Sequence, residues 1–150
     1  MNRLETMVRR VGRKLEELQR AKLWKLPNDL RITGSGEAVF GEKGPADFFG
    51  HTSSGRAIFI ECKDIRAPSL ALGSRGVKPH QWIALAELTR SGGIGLVIWA
   101  REEMVAILDV DMINSLTRGR KSISWKAIPG EWKHPLTQPG ILALLEQHQI

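Results

Sequence analysis

Two short segments bring together residue types able to hold a hard cation beside a phosphate ester: Gly44-Pro45-Ala46-Asp47-Phe48-Phe49-Gly50 and Ala57-Ile58-Phe59-Ile60-Glu61-Cys62-Lys63. Residues two apart in a strand share a face, so Glu61 and Lys63 project together while Ile58, Ile60 and Cys62 face the other way. Charged groups closing an otherwise apolar strand need a reason. The intervening His51-Thr52-Ser53-Ser54-Gly55 lets the two segments pair antiparallel, which brings Asp47 beside Glu61. Two carboxylates forced together repel, and a divalent cation is the simplest remedy. With the Cys62 carbonyl they make an all-oxygen set suited to Mg2+, for which Mn2+ can substitute. Such a metal lowers the pKa of a water attacking phosphorus and stabilises the developing charge, while Lys63 orients or deprotonates that water. Glu5 can join through a water from an N-terminal helix, and Gln81 from the inward face of a later one.

The tripeptide Glu-x-Lys is worth little alone, because the chain holds a second copy, Glu131-Trp132-Lys133, lying outside any strand pattern between Pro129-Gly130 and His134-Pro135. Context separates them: an apolar strand leads into the first copy, and Pro-Ala-Asp-Phe stands one short hairpin upstream. Each residue also has a plain structural use. Glu61 and Lys63 can form a surface ion pair worth about 0–1 kcal/mol, and Asp47 can satisfy turn amides. Glu5 can pair with Arg9 one helical turn on, Gln81 can bond the start of its helix, and Cys62 reads as a small buried apolar residue. The coincidence of Asp47, Glu61 and Lys63 with the strand order favours the metal site. For Glu5 and Gln81 the two readings stand level.

Composition bounds the setting. The chain has 150 residues, 42% hydrophobic and 25% charged, enough for one domain (1–150) that buries roughly 68–70% of its unfolded surface. No apolar run approaches the ~20 residues of a membrane span, and the N-terminus lacks the apolar core of a signal peptide, so a cytoplasmic protein without a membrane partner is expected. One cysteine and four scattered histidines form no zinc pattern. The net charge is +6, and residues 1 to 25 hold eight basic groups against three acidic ones. Such a segment suits a polyanion like DNA, although charge alone equally describes a solvated helix face. Candidate phosphate contacts are Arg9 and Arg13, then Arg66, Arg75 and Lys78, and finally His80. The five tryptophans suit core and interface packing, with base stacking as the alternative.

Elements that would position these residues are legible as patterns. Leu4, Val8, Val11, Leu15 and Leu18 form one helical stripe in a pattern that Pro27 ends. Leu30 to Thr33 and Ala38 to Gly41 are short strand candidates around Gly34-Ser35-Gly36, with a turn at Lys43-Gly44-Pro45. Ala46 to Gly50 and Arg56 to Lys63 are the paired strands. Asp64 to Lys78 reads as a mobile basic loop. Pro79 opens a helix with Gln81, Ala84, Leu85 and Leu88 on one face, closed by Gly92-Gly93. Ile94 to Ala100, almost uniformly apolar, is expected at the sheet centre, followed by a strand at Met104 to Asp109. Asp111 to Leu116 and Ile141 to Gln147 are short helical candidates, and Arg118 to Pro139 has no assignment. One α/β domain is the economical architecture.

The chain resembles the PD-(D/E)XK nuclease superfamily and, within it, the RecU-type Holliday junction resolvases. The matching residues are Leu4-Glu5, Trp24-Lys25-Leu26-Pro27, Asp47-Phe48 with Gly50, Phe59, Glu61-Cys62-Lys63, His80-Gln81, and Gly92-Gly93 before an apolar strand. The resemblance implies a mixed central β-sheet flanked by helices, a restriction-endonuclease-like core, in a homodimer that cuts two strands of branched DNA during recombination and repair. It implies Asp47 and Glu61 as metal ligands, Lys63 as the catalytic lysine, and Glu5 and Gln81 in support. One feature departs. Family resolvases carry a stalk before the catalytic Asp, whereas Asp29 to Glu42 leaves room only for a small hairpin, as in a reduced, phage-encoded member. Junction specificity is therefore less firmly implied than nuclease chemistry. The alternatives are a differently or less selective nuclease of this superfamily and a nucleic-acid-binding module without catalysis.

Overall fold

A computed structural model of the chain describes residues 1–27, 30–32, 35, 38–40, 44, 46–73 and 75–150. Helix α1 (Arg3–Glu17) starts at a reciprocal cap: the Asn2 side chain accepts the Glu5 amide at 2.8 Å, and Glu5 Oε2 accepts the Asn2 amide at 3.2 Å. Leu4, Val8, Val11 and Leu15 of its stripe are fully buried, each worth roughly 1.5–3 kcal/mol of burial. The helical pattern does not run on to Pro27. Gln19 takes a left-handed backbone (φ 56°), and Ala21–Lys25 follows as strand β1. Its alternation of Lys22 and Trp24 against Leu23 is the period-two signal that the helical stripe obscured, and Leu18 lies exposed beyond the helix end.

The central sheet has six strands in the order β1, β4 (Phe48–Thr52), β5 (Ala57–Asp64), β7 (Ile94–Arg101), β8 (Met104–Asp109) and β10 (Lys133–Pro135). Only β5 and β7 run parallel, so the sheet is mixed. Strand β7 is central and buried from Ile94 to Ala100, as its apolar run requires. Helices α1 and α4 (Gln138–Glu146) cover one face around Ile58, Ile60, Leu96 and Ile98. Helices α2 (Pro79–Arg90) and α3 (Val110–Thr117) cover the other around Val97, Trp99, Ala106 and Leu108. Strands β2 (Leu30–Ile32) and β3 (Ala38–Phe40) pair as a separate antiparallel ribbon. The remainder of the expected Asp29–Glu42 hairpin and most of the Lys43–Pro45 turn lie outside the described residues.

Two further expectations are corrected. The Asp64–Lys78 stretch is not one loop: it contains β6 (Ser69–Ala71), which pairs with β9 (Ser122–Ser124), and its Leu70 and Val77 are buried. Its high content of Gly and basic residues masked two apolar anchors. The second Glu-x-Lys copy is not wholly outside a strand, since Lys133 opens the edge strand β10 while Glu131 sits in a single 3-10 turn.

Two glycines set the spacing around the site. A Cβ on Gly50 would fall 1.8 Å from the Lys22 carbonyl oxygen, so β1 closes on β4 only at a residue without one. A Cβ on Gly95 would lie 2.7 Å from the Leu85 carbonyl oxygen, which lets α2 sit directly on β7.

Candidate active site

The β4–β5 register, with Phe48 opposite Ile60, sets Asp47 alongside the end of β5. The Asp47 amide donates to the Ile60 carbonyl at 3.0 Å, and Asp47 Oδ2 accepts the Cys62 amide at 2.8 Å. Strand β5 thus fixes both the backbone and the carboxylate of Asp47. Glu61 is only 2% exposed. Its Oε1 accepts Gln81 Nε2 at 2.8 Å and lies 3.2 Å from Lys63 Nζ, whereas its buried Oε2 has no hydrogen-bond partner among the described residues. Gln81 is held in turn: its Oε1 accepts the Lys78 amide at 2.9 Å and Lys63 Nζ at 3.3 Å. Gln81 therefore both bonds the start of its helix and braces the carboxylate, combining the two uses its sequence position allowed.

Burial, and then the neighbouring Asp47, push the Glu61 carboxyl from 4.5 to about 7, with Lys63 opposing them. A buried oxygen without a partner among the described residues, on an acid whose ionisation is opposed first by burial and then by a second carboxylate, is an electrostatic deficit that a cation would fill. Cys62 is enclosed on the α1 side of the sheet, where burial and the same carboxylates raise its thiol pKa well above the usual value. Its side chain is a core residue, as expected, and only its backbone is available to the site. Among the described residues, no group of three or more His, Cys, Asp and Glu side chains is arranged to hold a metal. The fit is instead two carboxylates with backbone and water oxygens, a donor set suited to Mg2+ or Mn2+.

Glu5 is buried and reaches the site from α1, with Oε1 3.8 Å from Lys25 Nζ and Oε2 in its helix cap. Lys25 Nζ also lies 3.9 Å from Asp47 Oδ1 and donates to the Leu26 carbonyl at 3.0 Å. The sequence places Lys25 among the basic residues and the positions matching the resolvases but gives it no role in the site. The available signal was its place in an alternating Lys-Leu-Trp-Lys segment, which turns it inward with Leu23. Of the expected phosphate contacts, Lys78 enters the site's hydrogen-bond network through its amide. Arg9 and Arg13 are exposed one and two turns beyond Glu5, and His80 is exposed beside Gln81. Arg66 is exposed 3.9 Å from Glu102, and Arg75 is exposed before the α2 start.

No family model matches the chain, and no curated protein matches it significantly. A solved structure does: the 1.6 Å structure of Archaeoglobus fulgidus Hjc, a Holliday junction resolvase from an archaeal hyperthermophile, superposes with a TM-score of 0.52. The match covers 81% of this chain and 88% of that one at 15% identity. The chain shares that resolvase's fold. The expectation of a mixed sheet flanked by helices, in a restriction-endonuclease-like arrangement, is borne out.

Proposed function

We propose that the chain, as one domain spanning 1–150, is a divalent-metal-dependent DNA endonuclease that cuts branched DNA in the cytoplasm. The observation that carries this reading is the Asp47–Glu61 pair, with a buried Glu61 oxygen that has no hydrogen-bond partner among the described residues, beside a lysine braced by Gln81. Asp47, Glu61 and the Cys62 carbonyl would hold Mg2+, which supplies an acidified water and a counter-charge for the phosphate. Lys63, tethered between Glu61 Oε1 and Gln81 Oε1, orients the attacking water and presents positive charge to the scissile phosphate. Asp47 cannot swing away without giving up the Cys62 amide. Gln81 keeps Glu61 aimed, and Lys25 offsets the charge of Glu5 and Asp47 on the α1 side. Arg9, Arg13, Arg66, Arg75, Lys78 and His80 would neutralise backbone phosphates around the cut.

A four-way junction as substrate, and action as a homodimer on two strands, follow from the resemblance to RecU-type resolvases and from the activity named for the archaeal protein of similar fold. A labelled four-way junction and a matched linear duplex, incubated in Mg2+, Mn2+ or EDTA, test the reading. Paired, metal-dependent nicks in the junction alone support a resolvase. Cutting of both without preference retains the nuclease and discards the junction, whereas binding without cutting in any metal leaves only a DNA-binding module.

A further inference from the structure

One surface of the sheet is unlike the rest. Trp24 on β1 and Phe49 on β4 are cross-strand partners, their ring centroids 5.3 Å apart and planes 24° off parallel, and both remain exposed, at 40% and 36%. His51 tilts against the same indole at 5.8 Å. Lys22 Nζ, anchored by Glu16 at 2.6 Å, lies 5.5 Å from the Trp24 ring centre. Phe49 is in turn the register partner of Phe59, which shares its sheet face with Glu61 and Lys63 by strand alternation. The rings thus form a row running from the carboxylate site to the edge strand β1. Helix α2 packs on β5 and β7, where Phe59 is half-buried against the core, while Trp24 and Phe49 farther along the row stay exposed.

Exposed stacked rings beside a fixed cation fit two occupants, and size decides between them. With aromatic side chains offering about 200 Å2 each, the exposed parts of Trp24 and Phe49 amount to roughly 150 Å2, far below the ~800 Å2 each partner contributes to a stable protein interface. One or two nucleobases need no more, and every base has a π-face to stack while Lys22 can meet the adjoining phosphate. From the Trp24 position to the Glu61 position is two strand spacings across and two residues along, about 12 Å. That is about three to four nucleotide rises along one strand of duplex.

We infer that Trp24 and Phe49 form a stacking platform for an unpaired base a few nucleotides from the phosphate presented to Glu61 and Lys63. This rests on the nuclease reading above and narrows its substrate to DNA carrying an unstacked base beside the cut, as at a branch point or flap. The platform admits a base that duplex stacking would otherwise retain, so selectivity for branched DNA arises without a long stalk.

The test is binding without cleavage, in EDTA at fixed ionic strength, to a duplex with a short thymidine flap and to the same duplex with an abasic flap. The platform predicts quenching of tryptophan fluorescence by the thymidine flap and about tenfold tighter binding than to the abasic one. Trp24→Ala and Phe49→Ala should each abolish that difference and leave abasic binding unchanged. Trp24→Phe, which keeps a ring and controls for folding, should retain most of it. Equal affinity for the two flaps, or absence of binding to both, overturns the platform while leaving the nuclease intact, and the nuclease reading falls only if neither flap is cut in Mg2+ or Mn2+. Light scattering that finds a dimer in wild type and a monomer in Trp24→Ala, with no base discrimination, would assign the face to self-association instead.

Discussion

Gln81 donates from α2 to Glu61 Oε1 at 2.8 Å while its own carbonyl oxygen accepts both Lys63 and the Lys78 amide. One amide side chain therefore sets the carboxylate and the lysine relative to each other. Gln81→Ala should lower cleavage about 10- to 100-fold and weaken Mn2+ binding by a similar factor, as loss of an orienting partner does at metal sites. A variant with wild-type Mn2+ affinity would confine Gln81 to capping its helix.

The raised Glu61 pKa has a definite sign for stability. Between 4.5 and about 7 the folded protein binds a proton that the unfolded chain has released, so metal-free stability should fall as pH rises through that window and level off above it. The full change is on the order of 3 kcal/mol. Urea unfolding in EDTA from pH 4.5 to 8 measures it, and Glu61→Gln should flatten the profile. Added Mg2+ should stabilise more at pH 8 than at pH 5, because it replaces the proton.

Lys25 stands between Glu5 and Asp47 at 3.8 and 3.9 Å, and all three side chains are largely buried. Lys25→Met leaves those carboxylates facing each other without their cation. The variant should lose about 1–3 kcal/mol in EDTA and recover part of that in Mg2+. An unfolding midpoint equal to wild type in EDTA would show that Lys25 carries no such charge balance.

The second Glu-x-Lys copy makes an internal control. Lys133 Nζ sits 4.9 Å from the Trp125 ring centre, and Glu131 is exposed. Glu131→Gln and Lys133→Met should leave the cleavage rate within about twofold of wild type, with Lys133→Met costing about 0.5–1 kcal/mol of stability. A large loss of activity from Glu131→Gln would move the chemistry to the wrong end of the sheet.

Arg9 and Arg13 project from α1 on the side of Glu5. If each neutralises one phosphate, its replacement by Ala should flatten the plot of log affinity against log salt by about one. An unchanged slope would assign both to solvent.

Much of this was legible in the sequence because it follows from local periodicity. The β4–β5 hairpin, the buried run of β7, the Pro79 start of α2 and the pairing of Asp47 with Glu61 all came from alternation or turn chemistry. Strand β1 was missed because Leu15 and Leu18 continued a helical stripe up to the left-handed turn at Gln19. The β6–β9 ribbon was missed because its two halves lie some fifty residues apart, and pairing at that distance leaves no local signal. Lys25 escaped for a related reason: its partners come from α1 and from the segment before β4, and only the closed sheet brings them together.

A metal site built on Asp47 and Glu61 is tested by calorimetric titration of Mn2+ into the folded wild type and Asp47→Asn at pH 8. Wild type should bind Mn2+ saturably, and the binding should disappear in a variant whose circular dichroism is unchanged. Undiminished Mn2+ binding by Asp47→Asn, or none by wild type, would contradict a metal site built on Asp47 and Glu61.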